Sequence, residues 1–148
     1  MKYKLDYKDS VENSLIFWLC KFVRYKLSSL SNKELKDPKA LNSVNLRLIK
    51  GVENFKELDG LVKEARNAGI TGINTYFNPL KKVAKAIVYY EINSLKEINE
   101  EFLSEILASV TGGLSDATKK NYRIAVINFF TYLDKQNEEN EIGRAHVW

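Results

Sequence analysis

The chain is poor in the residues that crosslinking and most catalysis need. Its 148 residues include one cysteine, one histidine and two prolines. Cys20 alone cannot close an internal disulfide, so a reducing compartment, the cytoplasm, is expected. The one histidine, His146, is the third residue counted from the C-terminus. No Cys/His cluster has the spacing of a metal site, and no glycine-rich phosphate loop follows a strand. Neither a metal nor a cofactor is therefore expected. With no nucleophile–base pair either, the chain is a poor candidate for an enzyme or for a small-molecule substrate. No apolar run approaches the roughly 18 residues that span a bilayer. The opening MKYKLDYKDSVEN is too polar for a signal peptide, so a membrane partner is not expected.

What is present points to helices. A charged fraction of 28% with only seven glycines and two prolines disfavours a turn-rich β protein. The size and the 45% hydrophobic content suit one domain with a modest core. The net charge of +4 is unevenly spread. Residues 1–50 carry 11 Lys/Arg against 5 Asp/Glu, whereas residues 101–148 carry 5 against 7. That gradient suits either a solvated basic end or a basic face for phosphates.

Six helices are expected along the chain. The first spans about Ser10 to Ser28, capped by Asp9 or Ser10. Its apolar residues form two rows, Val11, Leu15, Trp18, Phe22, Tyr25 and Ile16, Leu19, Cys20, Val23, Leu27. A helix apolar on two sides is either deeply buried or faces a partner. The second starts at Asp37-Pro38 and ends near Gly51, with Leu41, Val44, Leu48 and Ile49 at helical spacing. The third covers about Asn54 to Ala68 and stops at Gly69. The fourth, within residues 72–90, has a core stripe of Ile73, Phe77, Leu80, Ala84 and Ile87, and Pro79 predicts a kink or break. The fifth covers Glu100 to Val110. Ser115 caps the sixth, whose core row is Tyr122, Ala125, Val126, Phe129, Phe130 and Leu133. The fold class is all-α, a bundle of about five to six helices in hairpins. The polar, acidic stretch QNEENEI after Asp134 reads as a linker.

The sharpest binding signal opens the sixth helix, where Thr118, Lys119, Lys120, Asn121 and Arg123 lie within two turns. Lys119, Lys120 and Arg123 share a face opposite the core row, and free amides at a helix start favour anions. Hydroxyls, amides and cations together suit phosphates and a major groove, although a solvated charged face has the same composition. Asn74, Lys81, Lys82 and Lys85 fall opposite the core stripe of the fourth helix. Arg66 and Asn67 precede Gly69 and could reach a backbone. Tyr76, Tyr89 and Tyr90 read as half-buried packing residues.

In residues 111–137, TGGLSDATKKNYRIAVINFFTYLDKQN, the pattern of Ser115, Thr118, Tyr122, Phe129, Phe130 and Leu133 resembles the final core-binding helix of tyrosine recombinases of the phage-integrase family. KEARNAGITGINTYFNPL at 63–80 and LIFWLCKFVRYKLSSLSN at 15–32 resemble, more specifically, the Xer recombinases of the single-protein type. The resemblance implies a SAM-like core-binding domain of crossed helical hairpins that clamps one side of a double-stranded DNA recombination site. It implies a role in resolving chromosome dimers and contact with adjacent recombinase subunits. It also implies that the catalytic Arg, Lys, His and Tyr belong to a further domain. On that basis residues 1–137 are the DNA-binding domain, and 138–148 are a linker with a non-native tail, GRAHVW. The alternative is a helical protein–protein interaction module that binds no DNA.

Overall fold

The computed structural model describes residues 3–30 and 35–137. The acidic stretch from Glu138, His146 and the GRAHVW tail lie outside the described residues. Six helices follow in order: α1 (Val11–Leu30), α2 (Pro38–Lys50), α3 (Phe55–Asn67), α4 (Ile73–Tyr89), α5 (Glu100–Thr111) and α6 (Asp116–Gln136). A 3-10 turn, Leu95–Glu97, precedes α5. Among the described residues there is no β-strand, only an isolated bridge between Tyr3 and Asn137.

The helix boundaries follow capping chemistry. Ser10 Oγ accepts from the amide of Asn13 at 3.1 Å and starts α1. Asp37 accepts from Ala40, with Pro38 at the first helical position, where its missing N–H is not needed. Asn54 accepts from Glu57, Asn99 from Phe102 and Ser115 from Thr118. Gly51, Gly69 and Gly113 each take a positive φ after a helix, where a Cβ would be strained. The 3-10 turn rests on a capping box of Ser94 and Glu97.

The two apolar rows of α1 have one explanation: α1 is the central helix. It packs against α2, α3, α4 and α6, so Leu15, Trp18 and Phe22 are buried, and so are Ile16, Leu19, Cys20, Val23 and Leu27. The row that could have faced a partner is thus covered by the domain itself. Val11 and Tyr25 are the exceptions: Val11, at the start of the helix, is only partly buried, and Tyr25 is half exposed and stacked on Tyr132 with ring centroids 5.0 Å apart. Ile49 also departs from its expected core position and is 58% exposed. It lies about 100° round the helix from Leu48, beyond the one face of α2 that is covered.

α4 makes its widest contact with α6. Its stripe of Ile73, Phe77, Leu80, Ala84 and Ile87 is fully inward, as is the core row of α6. Pro79 does not break α4, which continues from Ile73 to Tyr89. Pro79 is itself buried in the same packing, and that contact offsets the one backbone bond it cannot donate.

The segment before α1 is an integral part of the fold. Leu5 is completely buried, and the Trp18 indole N–H donates to the Leu5 carbonyl at 2.9 Å. Asp6 accepts hydrogen bonds from the Ser94 hydroxyl and from the Leu95 amide. Tyr3 N–H reaches the Gln136 carbonyl at 3.4 Å. The N-terminal segment therefore joins the start of α1 to the 3-10 turn and to the end of α6.

Candidate nucleic-acid interface

The amphipathic pattern of α6 fixes its outward residues. With Tyr122, Ala125, Val126, Phe129 and Phe130 buried, Lys119, Lys120, Asn121 and Arg123 must point outward, and all four are exposed. None of Lys119, Lys120 and Arg123 forms a salt bridge with a described residue. Thr118 is half-buried, and its hydroxyl accepts from the Ser115 hydroxyl at 2.9 Å. It thus holds the cap in place rather than standing free. The first two turns offer an anion three cations with no ion pair to a described residue, and one exposed carboxylate, Asp116, stands beside them.

α4 divides its lysines between two tasks. Lys82 and Lys85 are exposed, on one ridge with Asn78 and Tyr89. Lys81 is half-buried and donates to Asp59 Oδ1 at 2.9 Å, while Lys63 Nζ lies 3.4 Å from Asp59 Oδ2. The hydrogen bond from Lys81, with its positive charge, holds the Asp59 carboxyl below its ordinary pKa. Lys81 is therefore a cation with a partner, tying α4 to α3. Asn74 is half-buried in the first turn of α4, where no side chain caps Gly72. Arg66 and Asn67 are exposed at the end of α3. Among the described residues no ion pair joins the α6 cations to a residue of α4 or α3.

Two features lay beyond the sequence patterns. Tyr89, expected to be half-buried, is 84% exposed. Its spacing of four from Lys85 placed it on the basic ridge, but a tyrosine at the end of an apolar run resembles a packing residue. Lys26 of α1 joins two other helices, with Nζ 4.3 Å from the centre of the Tyr76 ring and 3.2 Å from Asn128 Oδ1. No local spacing signals a contact across 102 residues. Among the described residues no cluster of His, Cys, Asp or Glu could hold a metal ion. No helix among them is long and apolar enough to cross a membrane.

Relatives with this arrangement are known. Tyrosine recombinase XerH of Campylobacter jejuni is 62% identical over 148 residues, all of this chain. XerH of Helicobacter pylori is 47% identical over an alignment covering 95% of it. The chain spans 41% of the length of each. Among solved structures, XerH bound to difH substrate in a pre-cleavage complex superposes with a TM-score of 0.88 at 41% identity. That match covers 95% of this chain and 43% of the recombinase. A post-cleavage complex on palindromic difH gives 0.86 at 43% identity, covering 95% and 40%. The phage integrase SAM-like domain matches residues 6–137. The chain belongs to the phage integrase SAM-like domain family.

Proposed function

We propose that this chain binds double-stranded DNA as the N-terminal clamp of a site-specific tyrosine recombinase. The observation that carries the reading is the superposition, over 95% of the chain, on a recombinase bound to its recombination site. The free cations at the start of α6 supply the chemistry, because lysine and arginine at a helix N-terminus bind phosphates and can enter a major groove. Lys119, Lys120, Asn121 and Arg123 form the primary contact, and Lys82, Lys85, Asn74 and Arg66 form the secondary one. Thr118 and Lys81 act by holding the cap and α4 in place. Residues 1–137 serve as the core-binding unit, and 138–148 lead out of it. Strand exchange belongs to the part of the relatives' length that this chain does not span. The role is chromosome dimer resolution in the cytoplasm, with adjacent recombinase subunits as partners.

A gel-shift comparing a recombination-site duplex with a random duplex tests the reading. Tighter binding of the site duplex is the expected result. Absence of binding to either duplex at low salt would favour the interaction-module alternative. A nicked suicide duplex adds a second check: no covalent protein–DNA adduct should form on a denaturing gel.

A further inference from the structure

The N-terminal segment, α1 and the end of α2 enclose a cleft of about 800 Å³. Aromatic rings form one end of it. Tyr7 stacks on Phe17 with ring centroids 4.3 Å apart, and Tyr3 meets both edge-on, at 5.1 and 5.3 Å. These nearly equal distances put Tyr3 at the side of the stack. Lys8 Nζ, at 5.2 and 5.8 Å from the same two rings, lies at the side as well. Neither group covers the outer face of Tyr7, and Tyr7 is 47% exposed. A ring held from behind, with its other face to solvent, is a platform on which a flat base can stack.

Cations continue from the rings. Phe17, Lys21 and Arg24 follow one another at spacings of four and three, a ridge of α1 about 10 Å long. Lys50 borders the cleft from the end of α2. Among the described residues one carboxylate, Glu53, lines the cleft, and no salt bridge neutralises Lys8, Lys21, Arg24 or Lys50. Burial, with the neighbouring Arg24 charge, lowers the Lys21 pKa, the direction expected of a cation lacking a counter-ion. The cleft stands apart from the start of α6. The Tyr132 hydroxyl donates to the Lys21 carbonyl at 3.4 Å, and Tyr132 lies roughly 18 Å along α6 from Lys120, at about 1.5 Å per residue. We propose that this cleft binds single-stranded nucleic acid, with a base stacked on Tyr7 and the adjoining phosphates on Lys21, Arg24 and Lys50. The bases of a duplex stack on one another, so only an unpaired strand can use the ring. Cations strung along about 10 Å of helix suit successive phosphates of a strand better than the single phosphate of a free nucleotide. The inference goes beyond duplex binding and does not depend on it.

The test titrates a fluorescent oligothymidylate of roughly eight nucleotides with the full 148-residue chain, read by anisotropy at several salt concentrations. Tyr7→Leu, which keeps an apolar contact on Phe17 but has no ring, should weaken binding about five-fold or more and leave the salt slope unchanged. Tyr7→Phe, which restores the ring, should bind like the parent. Lys21→Gln with Arg24→Gln should lower the slope of log affinity against log salt by roughly 0.7 for each cation removed. All three variants should hold a recombination-site duplex as the parent does, which keeps failure here distinct from failure of the duplex reading. No binding of the oligothymidylate by the parent, or parent-like binding by Tyr7→Leu, would overturn the proposal. Loss of duplex affinity in the variants would overturn it too, by making the cleft part of the duplex face. So would competition by a poly-glutamate peptide, or by thymidine monophosphate, as effective as that of unlabelled oligothymidylate at equal charge, since the cleft would then take an acidic protein or a free nucleotide.

Discussion

Lys81 of α4 and Asp59 of α3 form an ion pair at 2.9 Å, each with about a quarter of its side chain exposed. Sequence spacing alone groups Lys81 with the basic ridge of α4, but this contact gives it a structural task. Lys81→Ala should therefore lower stability, by up to about 1 kcal/mol for a pair at this depth. Asp59→Asn should cost a similar amount while leaving Lys81 charged. The Asp59 carboxyl has a lowered pKa when folded, so the unfolded chain holds its proton more tightly. The stabilisation is present at neutral pH, above the unfolded value, and is lost as pH falls through the folded value. Urea melts from neutral to acid pH check this: the parent should lose its advantage over Asp59→Asn on acidification.

Val23 and Tyr25 are two residues apart on α1, and substitutions at them should separate sharply. Val23 is buried, and a hydroxyl placed there by Val23→Thr would lack a guaranteed partner, costing about 1–3 kcal/mol. Tyr25→Ser removes an exposed stack on Tyr132 and should cost about 1 kcal/mol or less. Thermal melts of the two variants decide it. Equal melting temperatures would mean that the second row of α1 is not core.

Residues whose partners lie nearby in sequence were legible without a structure. Asp37, Asn54 and Ser115 cap helices through bonds three residues long, and the stripes of α4 and α6 repeat within one element. The cations at the start of α6 were legible for the same reason, because a buried row at Tyr122, Val126 and Phe130 dictates which residues point out. Contacts across the chain were not. Nothing near Leu5 announces that Trp18 will bond its carbonyl, or that Asp6 will meet Ser94 across 88 residues. The same limit applied to α1, since a helix apolar on two sides reads alike whether its own domain or a partner covers it. Lys81 looked free because Asp59 stands 22 residues away.

Cys20 gives a chemical probe of the core. Its thiol is buried, and burial pushes its pKa up to about 11. The reactive thiolate is thus scarce at neutral pH, and access is blocked as well. Alkylation of the native chain should proceed only through opening of the α1 core. Its rate should therefore rise with urea in step with unfolding, and Val23→Thr should accelerate it. Rapid labelling of the native parent, at the rate of an exposed thiol, would contradict the buried placement.

Lys119, Lys120 and Arg123 project from the first two turns of α6, with Tyr122, Val126 and Phe130 packed behind them. Replacing each with Ala should leave the fold intact, since exposed changes of this kind cost under about 0.5 kcal/mol. DNA binding should suffer more. A lysine is a compact point charge on a long stem, which suits a phosphate, so Lys119→Ala and Lys120→Ala should weaken all duplexes alike. Each should reduce the slope of log affinity against log salt by roughly one unit. Arg123 carries a planar fork that can take two bonds from a guanine edge. Arg123→Ala should therefore cost about 1–3 kcal/mol on the site duplex and little on a random one. A salt titration of the three variants on both duplexes separates these outcomes. If all three match the parent on both, α6 does not carry the DNA face, and the exposed ridge of Lys82 and Lys85 on α4 becomes the next set to substitute.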